Sequence, residues 1–356
     1  MLKPFQILLV LSIFTLSIFA QTAPPKQTPT PDIPVDDNEV IKINSRLVVV
    51  PVSVTDMQGL PVTGLKITDF RLLEENKPQL LEQLGAAEEV PLEIALLIDI
   101  SSSVDSLFES EKLAAAKFLK DVMRPADRAS IFTIGKKPFL YQPRDTADKA
   151  AERLIGLNPQ KSYTAFYDTV IKASDYLRKN APPTSRKVLV VISDGDDSYS
   201  EVLQNLLFKD DLKTATQIAG LPEKKQRELA MNQRALARNK VKDQILRSMQ
   251  NADVVFFSIN PAGNSFHLNT ISQFGQETMG IFADQTGGKA FLMKKDIDLE
   301  AIFRQLTGEL RAQYLLQYYT DADFPVGKYV TLKVDLPGKP QTRVRARQGY
   351  FVTKDH

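Results

Sequence analysis

Three short runs near the middle of the chain are apolar almost without interruption: residues 94–98 (IALLI), 188–192 (VLVVI) and 254–259 (VVFFSI). Runs of that length with no polar alternation belong to strands covered on both faces. Between and around them the pattern shifts to the helical period, in FESEKLAAAKFLKDVM, ADKAAERLIGL, TAFYDTVIKASDYLRKN and DLEAIFRQLTGELRAQ. RASIFTIG, PFLYQ and KAFLM add further strands, and Gly287-Gly288 fits the end of a helix. Strands alternating with helices predict a doubly wound, mainly parallel, Rossmann-like α/β sheet over residues 89–312, with helices on both faces.

Outside that block the period is two. RLVVVPVSVTD, then turns at Gly59 and Gly64, then KITDFRLLEENKPQLLEQL with a polar turn at Glu74 to Lys77, predict short strands over 44–88. YLLQYYT, YVTLKVDLP, TRVRARQ and GYFVT predict more over 313–356, where Tyr318 and Tyr319 would pack the β region. Each block has too few residues for a good core of its own. The economical arrangement is one β-sandwich built from both ends of the chain, with the α/β domain inserted. A charged, helix-prone stretch at about 203–240 exceeds any ordinary strand-to-helix connection. It reads as a solvated helical insert, or as an arm near the functional edge.

Residues 1–20 read as a secretory signal peptide: Lys3, an apolar stretch from Ile7 to Phe19, and Ala20 at the cleavage position. Ile18 is large for its place in such a site, and an uncleaved anchor is the alternative. The stretch is short beside the roughly 20 apolar residues of a bilayer span. Residues 21–43 are proline-rich and read as a linker. No transmembrane span is expected once the signal is removed. The chain has 356 residues, no cysteine and two histidines, His267 and the terminal His356. Disulfides, thiolate metal sites and thiol catalysis are thereby excluded, as is any site needing three histidines. Basic and acidic residues number 45 and 43. That balance gives no electrostatic reason to expect nucleic acid. Export without cysteine points to a bacterial envelope protein, whether periplasmic, surface-bound or secreted.

The strongest chemical signal is Asp99-Ile100-Ser101-Ser102-Ser103 at the end of the first buried strand. In open α/β sheets the functional edge lies beyond the carboxyl ends of the strands. Asp99, Ser101 and Ser103 can turn three oxygens to one side of a tight loop. Asp194, in Ser193-Asp194-Gly195, ends the second buried strand, and Thr164 stands before a helix, as a ligand or as its N-cap. Oxygen ligands of this kind suit a hard cation, Mg2+ first and Mn2+ or Ca2+ as alternatives. Asp196 and Asp197 read as surface charge, and His267 as an incidental loop residue.

The spacing Asp-x-Ser-x-Ser after a buried strand, a later Thr before a helix and an Asp-Gly after another strand resemble the metal-ion-dependent adhesion site of von Willebrand factor type A (VWA) domains. The resemblance covers roughly residues 90–312. It implies that Ser101, Ser103 and Thr164 give hydroxyl ligands and that Asp99 and Asp194 bind the metal directly or through water. VSVTDMQGLPVTGLKITDFRLLEENKPQ before the domain, and ELRAQYLLQYYTDADFPVGKYVTLKVDLPG after it, resemble the VWFA-related acidobacterial domain group. The implied function is adhesion or protein–protein interaction without catalysis, through a protein ligand that offers a carboxylate to the metal. Two other readings stay open: a magnesium-dependent phosphohydrolase of haloacid dehalogenase type, and a metal-free envelope scaffold. The first is the poorer match, because its second aspartate is replaced by Ser101, which is no acid near neutral pH.

Overall fold

The computed structural model of the chain describes residues 46–101, 105–160, 162–208, 221–263, 270–293, 298–320 and 322–352. The expected signal peptide and linker, together with Ser103 and His267, lie outside the described residues.

The apolar runs form the centre of a six-stranded sheet. Its strands are β5 (Leu92–Asp99), β6 (Arg128–Ile134), β7 (Phe139–Asp145), β8 (Arg186–Ile192), β9 (Val254–Asn260) and β10 (Lys289–Leu292), in the order β10-β9-β8-β5-β6-β7. All neighbours pair parallel except β7, which returns antiparallel to β6 at one edge. Side-chain alternation along β5 explains why two helical layers are needed. Leu92, Ile94, Leu96 and Ile98 face a core shared with α1 (Asp105–Val122), α2 (Ala147–Ile155) and α7 (Leu299–Arg311). Ala95 and Leu97 face the other core, shared with α3 (Phe166–Asn180), α5 (Glu223–Asn251) and α6 (Thr270–Thr286). Glu93, a polar residue near the start of β5, is fully buried and is held by two parallel bonds from Arg144, the shorter 2.6 Å.

The two β-rich ends make two four-stranded sheets. One has the order β13-β1-β11-β4, from Arg343–Ala346, Arg46–Thr55, Tyr314–Thr320 and Gln83–Ala86. The other has the order β14-β12-β2-β3, from Gly349–Phe351, Tyr329–Asp335, Arg71–Glu74 and Lys77–Gln79. Each sheet mixes strands from both termini, so neither end could form it alone. Val50, Val52, Leu72, Leu316, Val330 and Leu332 meet between them as one core. Glu74 is buried there and accepts bonds from the Tyr318 and Tyr350 hydroxyls at 2.7 and 2.8 Å, and from Thr320 at 2.7 Å. Tyr318 thus packs the β region, whereas Tyr319 points outward and is 48% exposed.

Within the charged stretch near 203–240 the structure describes two helical pieces. A helix, α4, covers 201–208. From Glu223 the chain forms α5, one helix of 29 residues whose Ala237, Val241, Ile245 and Met249 are buried. Among the described residues the crossover between β8 and β9 thus ends in a helix that is mostly exposed in its first half and packed in its second. Its apolar positions recur every fourth residue among so many charges that the stripe is thin.

Candidate functional site

At the carboxyl edge β5 and β8 run side by side, with Ile98 opposite Ile192. Asp99, the last residue of β5, and Ser193, the first beyond β8, are therefore neighbours. The Ser193 hydroxyl donates to Asp99 Oδ2 at 3.0 Å, while the Ser101 amide and hydroxyl both donate to Asp99 Oδ1, at 2.9 and 2.5 Å. Asp99 is buried, and its charge costs solvation. Its carboxyl is pushed up to about 6, first by that burial and further by the charge of Asp194, against the pull of the serine bonds.

Asp194 stands one residue past Ser193 in a turn closed by Gly195, whose φ of +81° excludes ordinary side chains. Gly195 donates its amide to Ser193 Oγ at 3.0 Å, and Asp194 Oδ1 accepts from the Asp196 amide at 3.0 Å. Helix α6 presses on this turn backbone to backbone. A Cβ at Gly275 would lie 2.5 Å from Gly195 O, so only glycine lets the helix approach.

Thr164 is buried just before α3, but it does not cap the helix: the N-cap position is Ala165, with no side-chain bond. Its amide instead donates to Ser198 Oγ at 2.9 Å, and the two hydroxyls lie 3.0 Å apart. Ser198 and Tyr199 in turn donate their amides to Thr164 O. Thr164 is thereby locked to the loop that follows Asp194. Of the expected residues, the structure joins Asp99, Ser101 and the Ser193-Asp194 turn directly, and ties Thr164 to the same loop through Ser198.

Asp197 is not simple surface charge, contrary to the sequence expectation. It is half-buried and accepts from the amides of Tyr167 at 2.9 Å and Ser200 at 3.0 Å, at the amino end of α3. Asp168 answers by accepting from the amides of Glu201 and Val202 at 2.6 and 3.2 Å, at the start of α4. Each helix start is capped by a carboxylate from the other segment.

Two features had no signal in the sequence. Glu111 is buried on the sheet-facing side of α1, one turn beyond Phe108. Its carboxyl is pushed up to about 7, first by burial and then by Asp99 and Asp194. Among the described residues no lysine or arginine forms an ion pair with Asp99, Glu111 or Asp194. Nor do three His, Cys, Asp or Glu side chains there make a metal cage by themselves. The second feature is an aromatic rim. Tyr163, beside Thr164, is 62% exposed and stacks on Tyr199 at 5.8 Å, and Lys136 Nζ lies 4.9 Å from the Tyr199 ring.

Comparison with known proteins points one way. The model of the von Willebrand factor type A domain matches residues 94–196. No curated protein matches the chain. Among solved structures, an aerotolerance-related membrane protein from Bacteroides fragilis is 13% identical, with a TM-score of 0.40 over 62% of this chain and 98% of that one. The vWF domain of the type V pili tip protein Mfa5 from Porphyromonas gingivalis is 12% identical, with a TM-score of 0.37 over 61% and 94%. Proximal thread matrix protein 1 from the mussel byssus, solved with a zinc-occupied MIDAS motif, is 12% identical, with a TM-score of 0.40 over 65% and 48%. Likenesses this distant fix neither ligand nor partner.

Proposed function

The chain carries a von Willebrand factor type A domain over residues 94–196, and from that we propose an exported, non-catalytic binding protein that holds one divalent cation at the carboxyl edge of the parallel sheet. The ligand set proposed is Asp99, Ser101, Ser103, Thr164 and Asp194. The observation that carries the reading is the buried Asp99 carboxylate, bonded among the described residues by hydroxyl and amide donors and repelled by Asp194. With Glu111 also near and no basic partner among the described residues, the edge holds more negative charge than the protein neutralises. Carboxylate and hydroxyl oxygens without nitrogen or sulfur fit a hard ion such as Mg2+, with Mn2+ and Ca2+ as alternatives. Two carboxylates are too few to complete six-fold geometry, so hydroxyls and water share the shell.

When bound, such an ion supplies an electrophilic position that an acidic group of a protein partner closes. The chain's own residues do the rest. Ser101 and Ser193 orient Asp99, and the Thr164–Ser198 contact holds the two loops together. Tyr163, Tyr199 and Lys136 offer an exposed aromatic and cationic rim beside Thr164, which suits an acidic protein surface. Export rests on the apolar leader at residues 1–20. Among the described residues no helix is long and apolar enough to cross a membrane.

Titration calorimetry with Mg2+ or Mn2+ tests the cation site. The parent protein should give binding heat and the double variant Asp99→Ala, Ser101→Ala none. Equal heats would remove the proposal.

A further inference from the structure

A second site lies at the opposite end of the parallel sheet, where β8 and β9 begin and the sandwich sheet of β1 and β11 packs nearby. A cavity of about 400 Å³ opens there. One wall is apolar: Leu47, Val49 and Pro51 on the outer side of β1, with Leu315 opposite Pro51 on β11. Leu47 is 46% exposed, and so is its cross-strand neighbour Tyr319, at 48%. The other wall is cationic, with Arg186, Lys187 and Arg347.

These cations are poorly answered. Lys187 is only 7% exposed, and its ammonium has a single protein acceptor, Pro183 O, at 3.4 Å. Arg186 uses Nη1 on Leu310 O and Gln313 Oε1 at 2.8 and 3.0 Å, and its buried Nε has no partner. Arg347 uses Nη2 on Val49 O at 2.8 Å and pairs with Asp253, and its buried Nε is also unanswered. Asp253 is the one carboxylate among the lining residues, against four buried or half-buried cations, Arg46 at the mouth being the fourth. Buried donors without acceptors are costly, and a charged donor more so. Burial accordingly holds Lys187 below the usual ammonium range, although Asp253 pulls the other way.

We propose that this cavity binds a small organic anion with an apolar body, a carboxylate on an aliphatic chain. The carboxylate would meet Lys187 and the guanidinium groups of Arg186 and Arg347, and the chain would lie along Leu47, Val49 and Pro51 toward the exposed Leu47–Tyr319 pair. The volume is that of a small-molecule pocket, and an apolar wall with a few convergent polar groups is the arrangement such pockets use. The site shares no residue with the cation edge and stands whether or not that edge binds metal.

The test is calorimetry and thermal shift on the full chain in chelator, with dodecanoate, dodecanol and acetate as probes. Dodecanoate should bind at one site per chain and raise the melting temperature. Dodecanol, which lacks the charge, and acetate, which lacks the body, should each bind at least about tenfold more weakly. Lys187→Met should lower dodecanoate affinity by about tenfold or more while melting no lower than the parent, since an apolar side chain suits the cavity. Leu47→Asp, at an exposed position that leaves folding intact, should also weaken binding. Equal binding of dodecanol and dodecanoate, unsaturable uptake of several molecules, or unchanged affinity in both variants would overturn the proposal.

Discussion

Asp99 is caught between two demands. The sheet buries it, which favours the neutral acid, while Ser101 and Ser193 donate to it as though it were ionised. Glu111 sits in the same field with no donor of its own in ion-pair contact. Both carboxyls keep their protons to higher pH in the fold than in an unfolded chain, about 6 for Asp99 and about 7 for Glu111. Their contribution to stability is therefore full below about pH 4 and is lost as the pH rises through those two values. In chelator, Glu111→Gln should raise the melting temperature near pH 8 and leave it almost unchanged near pH 4. A variant that melts like the parent at both ends of that range would mean Glu111 carries no buried charge. That Asp99, Ser101 and Asp194 gather at the carboxyl edge was legible, because motif spacing and strand ends mark them. Glu111 was not, because a single glutamate in an amphipathic helix looks the same on paper whether it faces water or the sheet.

The contact between α6 and the Asp194 turn depends on two glycines meeting, Gly195 and Gly275. Gly275→Ala adds a methyl group where there is no room, so the helix or the turn must shift. The expected cost is about 1–3 kcal/mol, read as a lowered denaturation midpoint, with weakened cation binding because Asp194 moves with the turn. Unchanged stability and binding would show that the helix yields freely. The buried strands were read correctly from their unbroken apolar runs, since nothing but cover on both faces accounts for them. How α5 packs was not legible, for the converse reason. The buried face of α5 is one residue wide per turn, Ala237, Val241, Ile245 and Met249, and charge on every other side hides it. The reciprocal caps of Asp168 and Asp197 were also invisible, because each bond joins segments some 30 positions apart in sequence.

The sandwich needs both termini. β1 pairs with β11 and β13, and β2 pairs with β12. Deleting residues 329–356 removes β12, β13 and β14, leaving the β2–β3 hairpin without its neighbour β12 and the Val50–Leu72 core uncovered. Limited proteolysis of that truncation should cut rapidly within residues 46–86, although the deletion is remote in sequence. Protection equal to the full chain would mean the amino-terminal strands fold unaided. The insertion was foreseeable because two short β-rich blocks had no core apart, whereas strand order was not, since alternation names faces and not neighbours. The point of insertion has its own consequence. The chain leaves the sandwich and returns to it at adjoining rungs, with Ala86 opposite Tyr314 and the Ala87 amide donating to Gln313 O at 3.2 Å. The α/β domain is thus a cassette on a two-strand socket. Another domain with closely spaced termini could be spliced between 87 and 313, turning the host into a display frame.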